Sequence, residues 1–552
     1  MGTTRRLLTL LAIGWLWVCG ADAQEPSDPG TLFTGATVFP GFDGRRPEPV
    51  ERRVCSAVLV RGGRVIGIGG EAELAATDAG RRARRVDLTG LYVYPGFQDA
   101  HGELEQLGAD LERIDLSGCA GLDDLARALG QRARETPAGR WIVGVGWSSA
   151  RWAASVGGGE APDSLGRALD ARIPGHPVLI EDRSGDGVLL NRAGLEAIGA
   201  ADSSRWLTGA AAARATAALP AATPADRERR ILRGQEALLA RGFTCVHLMG
   251  VDRQELAALR RVHAAGRLDV RVVAYTSELP SAEDPRAWGD DRLSVAGVHL
   301  DLDGALATRG AALSDAYSDA PGWKGELLAD APAAWSLLVE GARAGAQPSL
   351  GATGDRAVGL ALDLLERGRT EVPGFIGLRP RLAGADLIGG GDSGRLRPLG
   401  VVPSLQPARL LEQLAWAPAR LGEERLLGLQ PWSSLAAATG QPLALGSGYP
   451  AGPADPRAIF HAAVARRAAL ARTPFLPAMA LTAHRTLGAL TSGAAAAVTQ
   501  EDRRGLLARG YGGDLTVLDV DLTQLGWGDA ASALEARVVM TVVDGEILHD
   551  AR

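Results

Sequence analysis

The sequence predicts an α/β chain: a parallel TIM-like (β/α)8 barrel with an inserted subdomain, plus a small β-sandwich domain built from both chain termini. Three observations lead there. The two ends are β-rich, the long middle alternates short apolar runs with helical stretches, and 552 residues exceed what one compact domain holds. Hydrophobic residues make up 46% of the chain, enough for a large core.

Each element follows in order. Ala57 to Val60, the turn Arg61-Gly62-Gly63-Arg64 and Val65 to Gly69 predict a hairpin. Asp514 to Asp519 and Val538 to Leu548 repeat that style at the other end, so one sheet domain from both termini is expected. Between them lie apolar runs at Trp141 to Val145, Val178 to Ile180, Val270 to Ala274, Val298 to Leu302 and Leu443 to Leu445. Ala225 to Ala240 and Ala357 to Arg367 carry helical periodicity. Strands alternating with helices predict parallel β/α units. The expected organisation is 1–23 signal, 24–94 small β domain, 95–495 barrel with an insertion over about 104–232, and 496–552 the rest of the β domain.

The N-terminus reads as an export signal. Arg5 and Arg6 precede the apolar run Leu7 to Val18, which is too short to span a bilayer, and Ala21-Asp22-Ala23 offers a cleavage site before Gln24. The expected location is periplasmic or extracellular, with no integral membrane segment after cleavage. Removal of the signal takes Cys19 and leaves Cys55, Cys119 and Cys245, each beside an apolar residue and without metal-like spacing. All three are expected to be buried small hydrophobes. A formal net charge of −6 gives no footprint for nucleic acid. Lys324 is the only lysine, so no other residue could serve as a Schiff base or carbamylated metal bridge.

The string Tyr94-Pro95-Gly96-Phe97-Gln98-Asp99-Ala100-His101-Gly102-Glu103 resembles the signature that ends the first barrel strand of the amidohydrolase superfamily. Further segments are similar to its N-substituted formamide deformylase-like (YtcJ-like) branch. They include Gly144 to Trp147, Asp303 to Leu306, Arg309 to Leu313, Gly354 to Ala357, Ser404 to Pro407, Gly446 to Pro450 and Gly512 to Leu518, in the family's order. The resemblance implies a metal-dependent hydrolase fold, and position by position it implies a depleted site. His101 is kept, while Glu103 stands in place of the second histidine and His299 in place of the strand-four lysine. Gly351 and Gly384 stand in place of histidines, Gly448 in place of the catalytic aspartate, and Asp186 in place of a substrate-contacting histidine.

Glycine has no donor, so these three substitutions are expected to remove the ligands and leave space. Losing a positioned general base alone costs roughly 10²–10⁴-fold in rate. The alternative is one smaller metal site: His101, Glu103 and His299 are competent ligands for a single Zn²⁺ or Fe²⁺. Strand alternation places Asp301 and Asp303 on the face of His299. His247, near the end of another strand, and Asp186 complete a polar pocket remnant. The expectation is an exported, catalytically impaired or inactive family member, a small-ligand-binding pseudoenzyme, with no cofactor or a single Zn²⁺ or Fe²⁺. The alternatives are a mononuclear metal hydrolase acting on amide-type C–N bonds, or a structural or partner-binding scaffold. Association into a homo-oligomer is left open.

Overall fold

The computed structural model describes residues 28–42, 55–119, 121–149, 152, 162–183, 187–200, 204–279, 292–328, 331–468 and 471–552. The signal segment and Asp186 lie outside the described residues. Eight parallel strands form the barrel, labelled here in chain order: β1 Phe97–Gly102, β2 Phe243–Val251, β3 Arg271–Thr276, β4 Leu293–Asp301, β5 Gln347–Ala352, β6 Arg381–Gly384, β7 Val402–Leu405 and β8 Ala444–Leu445. Each pairs with the next, and β8 returns to β1, where the Gly448 amide donates to the His101 carbonyl at 2.8 Å. The strands read as nearly continuous apolar runs because both of their faces are covered. A buried shell that includes Phe97, Phe243, Leu259, Leu362 and Phe460 packs helices around them.

The insertion carries its own five-stranded sheet, in the order Trp206–Thr208, Gly187–Leu190, Val178–Asp182, Ile142–Trp147 and Ile114–Asp115. The runs at Trp141 and Val178 therefore belong to this sheet and not to the barrel. Its core, with Leu129, Trp147, Leu169 and Ile180, is separate. The helix Pro224–Ala240 returns the chain to the barrel. Its start is specified locally: Thr223 accepts from the Asp226 amide while Asp226 accepts from the Thr223 amide, with Pro224 next in sequence. It crosses the helix Leu104–Asp110 closely enough that a Cβ on Gly108 would sit 1.8 Å from the Arg230 carbonyl oxygen.

The termini meet in one sheet. Its order is Glu546–Asp550, Val538–Val543, Leu515–Leu518, Tyr92–Pro95, Thr31–Val38, Cys55–Arg61 and Arg64–Gly69, with Arg84–Asp87 branching from Thr31–Val38. The hairpin expected from Ala57 to Gly69 is present in antiparallel register. This sheet encloses a small core around Phe33, Val58, Val93 and Met540. Below the barrel it is joined by Arg271 at the start of β3. Arg271 is 2% exposed and forms a bidentate pair with Asp514, at 2.8 and 2.9 Å, and a further pair with Asp544. Cys55 and Cys245 are buried as expected, but Cys119 is only half-buried beside the start of an insertion helix. No helix among the described residues is long and apolar enough to cross a membrane.

Candidate functional site

The end of β1 sets the geometry. The pairing of β1 with β2 slips between Asp99 and Gly102, and such an irregularity re-aims side chains that strict alternation would send outward. Asp99 is fully buried and ties β1 to the segment after β8. Its Oδ1 accepts from the Ser447 amide at 2.8 Å and the His101 amide at 3.1 Å, and its Oδ2 accepts from the Ser447 hydroxyl at 2.6 Å. Burial pushes the Asp99 carboxyl up to about 6, against the pull of these hydrogen bonds. Ser447 is thus a structural clamp.

His101 projects into the barrel mouth. Its ring stands perpendicular to that of His299, with centroids 6.0 Å apart. The Gln406 side-chain amide donates to His101 Nδ1 at 3.3 Å. Burial, with the neighbouring His299, Arg381 and Arg409, brings the imidazole down to about 3, so His101 is neutral. His299, 2% exposed, is pinned on both sides. Nδ1 lies 2.9 Å from Ser349 Oγ on β5, and Nε2 donates to Asp301 Oδ1 at 3.2 Å. Burial alone would raise Asp301, but the charge and hydrogen bond of His299 outweigh it and hold the carboxyl at about 2. The Asp301 side chain is 64% exposed. Glu103 shares the mouth. Burial and the nearby Glu255, Asp301 and Asp99 raise its carboxyl well above the ordinary range.

The three glycines do not leave the space expected of them. A Cβ on Gly351 would lie 1.9 Å from Asp301 Oδ1, so the Asp301 carboxylate fills that position. A Cβ on Gly448, whose φ is +62°, would meet Gln406 Cγ at 2.8 Å and Arg409 Cδ at 3.3 Å. Gly384 has φ +90°, and a Cβ there would meet the Ala352 carbonyl oxygen at 2.8 Å. Donors are absent, and neighbouring atoms occupy what the missing side chains would need. Among the described residues no three His, Cys, Asp or Glu side chains are arranged to hold a metal ion. His101, His299 and Asp301 come together.

The remaining predicted residues separate. Asp303, 6% exposed, accepts from three backbone amides, Thr353, Ala312 and Gly354, each at 2.8 Å. Both its oxygens are used in clamping the loops after β4 and β5. His247 lies deeper, fully buried, with Nδ1 3.2 Å from Arg381 Nη1 and Nε2 lacking a hydrogen-bond partner among the described residues.

Arg381 is the residue that sequence reasoning missed. It is 0% exposed, donates to the Tyr275 hydroxyl at 3.1 Å, and reaches the Ala100 carbonyl and the Ser404 hydroxyl at 2.6 Å each. One guanidinium thus cross-links β1, β2, β3, β6 and β7 through the barrel interior. The available signal was an arginine opening an apolar strand, where a cation must be partnered to be tolerated. Toward the rim, a small cavity of about 30 Å3 lies between the insertion and the barrel loops, lined by Ser148, Asp182, Leu306, Arg409 and Trp416. That is room for one or two waters.

A parallel eight-stranded barrel, a histidine at the end of its first strand and a sheet woven from both termini define a chain of the metal-dependent hydrolase fold. The chain belongs to the amidohydrolase family, whose model matches residues 84–549. It is 25% identical to the N-substituted formamide deformylase of Arthrobacter pascens, an alignment covering 90% of this chain and 96% of that one. It is equally 25% identical to YtcJ of Bacillus subtilis (strain 168), with the same coverage. The crystal structure of an uncharacterized metal-dependent hydrolase from Pyrococcus horikoshii OT3 superposes with a TM-score of 0.71 at 27% identity, covering 90% of this chain and 99% of that one.

Proposed function

We propose that this chain is an exported amidohydrolase-family protein that binds a small ligand in its barrel mouth and does not perform metal-dependent hydrolysis. One observation carries the reading. Gly351, Gly384 and Gly448 offer no donor, and the atoms of Asp301, Ala352, Gln406 and Arg409 stand where side chains would have to be. Metal-assisted hydrolysis needs a Lewis acid, an activated water and a group that moves the proton. Gly448 cannot supply the last.

Metal analysis of the purified chain, before and after zinc or iron loading, tests this. The expected result is well under one equivalent of metal and no chelator-sensitive hydrolysis of N-substituted formamides. One equivalent that is lost in a His299→Ala variant, with turnover abolished by chelation, would replace this reading with a mononuclear centre at His101, Glu103 and His299. Export has its own check. The protein recovered from the extracytoplasmic fraction should begin at Gln24, and an intact Met1 terminus found in the cytoplasm would refute it.

A further inference from the structure

Three histidines rise from the barrel strands: His101 from β1, His247 from β2 and His299 from β4. The partner on each ring fixes which nitrogen carries the proton, because an amide or guanidinium N–H only donates and a carboxylate only accepts. His101 Nδ1 lies 3.3 Å from the side-chain nitrogen of Gln406. That side chain is 1% exposed, and the same nitrogen donates to the Ser404 carbonyl at 2.9 Å. Turning the amide over would set oxygen against oxygen, so the nitrogen is fixed in place and His101 Nδ1 is a lone pair. His247 Nδ1 lies 3.2 Å from Arg381 Nη1, and a guanidinium has no lone pair to offer, so this nitrogen accepts as well. His299 Nε2 faces the Asp301 carboxylate at 3.2 Å and bears a proton.

We infer that His101, His247 and His299 all carry a proton on Nε2, and that the barrel mouth takes its ligand through an oxygen atom that accepts from His101 Nε2–H. The inference deepens the ligand-binding reading above and rests on it. The His299 N–H is spent on Asp301, and the His247 N–H is sealed in the interior without an acceptor among the described residues. His101 is half-buried and its Nε2 has no partner among the described residues, which leaves this N–H open to a ligand. Gln406 and Arg381 act as positioning residues. Each occupies an Nδ1 and so directs the proton to the opposite nitrogen. The surroundings favour an oxygen over an ammonium at His101. Arg381 donates to the carbonyl of Ala100, the preceding residue, at 2.6 Å, and no carboxylate of the described residues lies within 4.0 Å of it. Gln406 Cγ and Arg409 Cδ lie 2.8 and 3.3 Å from the point where a Gly448 Cβ would sit, so a second arginine runs beside the residue that holds His101. Arg409 reaches Asp386 at 3.7 Å, beyond hydrogen-bond distance.

Long-range proton–nitrogen correlation NMR of the full mature chain, labelled at its histidines, reads each ring nitrogen directly. His101→Phe and His247→Phe variants assign the signals. Both histidines should show an unprotonated Nδ1 and a protonated Nε2. Butyrate, with a charged oxygen, or butyramide, with a neutral one, should bind saturably and about 10-fold or more tighter than n-butylammonium. The bound oxygen should shift the His101 Nε2 signal. His101→Phe, which keeps a ring and removes the N–H, should weaken binding by roughly 10-fold, the scale of one lost hydrogen bond. Gln406→Leu should move part of the His101 population to the Nδ1–H tautomer and weaken binding less, whereas a merely structural glutamine would leave the tautomer unchanged. Circular dichroism checks that each variant is folded. A proton on His101 Nδ1 in the wild type overturns the inference even if butyrate binds, and leaves the ligand-binding reading standing. Tighter binding of butylammonium overturns it too, as does a His101 Nε2 signal that saturating butyrate and butyramide leave in place. If none of the three probes binds while the tautomers are as stated, the ligand-binding reading itself falls, and the acceptor-oxygen inference with it.

Discussion

Replacing Arg271 by alanine is expected to destabilise the protein by about 3–5 kcal/mol, the cost of removing one partner from a buried ion pair. The guanidinium is 2% exposed and holds Asp514 through two parallel hydrogen bonds, and Asp544 as well. Without it, two carboxylates face each other beneath the barrel, with Arg292 on Asp544 at 2.9 Å. Denaturant unfolding followed by tryptophan fluorescence would show a lower midpoint, and a change below about 1 kcal/mol would contradict this account. The same pair sets an acid limit. Burial favours the neutral Asp514 carboxyl, but Arg271 outweighs it and holds the group below its ordinary value. A depressed carboxyl contributes stability that is complete above its unfolded pKa of about 3.9 and is lost as pH falls through the folded value. The wild type should therefore lose stability below about pH 4, and Arg271→Ala should lose less over that window.

Restoring a histidine at position 351 is expected to harm the protein without recreating a metal site. The new Cβ would lie 1.9 Å from Asp301 Oδ1, so the carboxylate must leave His299. Overpacking of this kind costs about 1–3 kcal/mol, and the broken charged hydrogen bond adds to it. Gly351→His should therefore unfold at lower denaturant and still bind less than one equivalent of zinc. Combined with Asp301→Ala, the loss should be smaller than the sum of the two single losses, with a coupling of about 0.5–3 kcal/mol. Strict additivity would show that Asp301 does not occupy the vacated position.

The barrel and the terminal sheet were legible in the sequence because their signals are local. Val298 to Leu302 and Val270 to Ala274 are apolar runs flanked by helical periodicity, and the hairpin from Ala57 to Gly69 announces its own turn. The inserted sheet was legible only as strands, since nothing local tells Val178 to Ile180 which sheet it joins. Within the site, residue types were readable but pairings were not. His299 and Ser349 are 50 positions apart, Arg381 and Ala100 are 281 apart, and only the closed barrel brings either pair into contact. The contact between Gly351 and Asp301 was hidden for another reason. A glycine in a sequence records a missing side chain and says nothing of which neighbour takes its volume. The slip between Asp99 and Gly102 is likewise a property of the pairing with β2, and it decides where His101 points.

The terminal sheet also dictates when this chain can finish folding. Tyr92–Pro95, the residues that lead into β1, lie in register against Leu515–Leu518, which in turn needs Val538–Val543 on its other side. The strand that seats the barrel's first stave is thus completed by residues made long after it. A nascent chain lacking those residues has an open sheet edge and no partner for Arg271. Contacts of such long sequence separation form slowly. Synthesis itself therefore holds the polypeptide short of its native state until Val543 has been made.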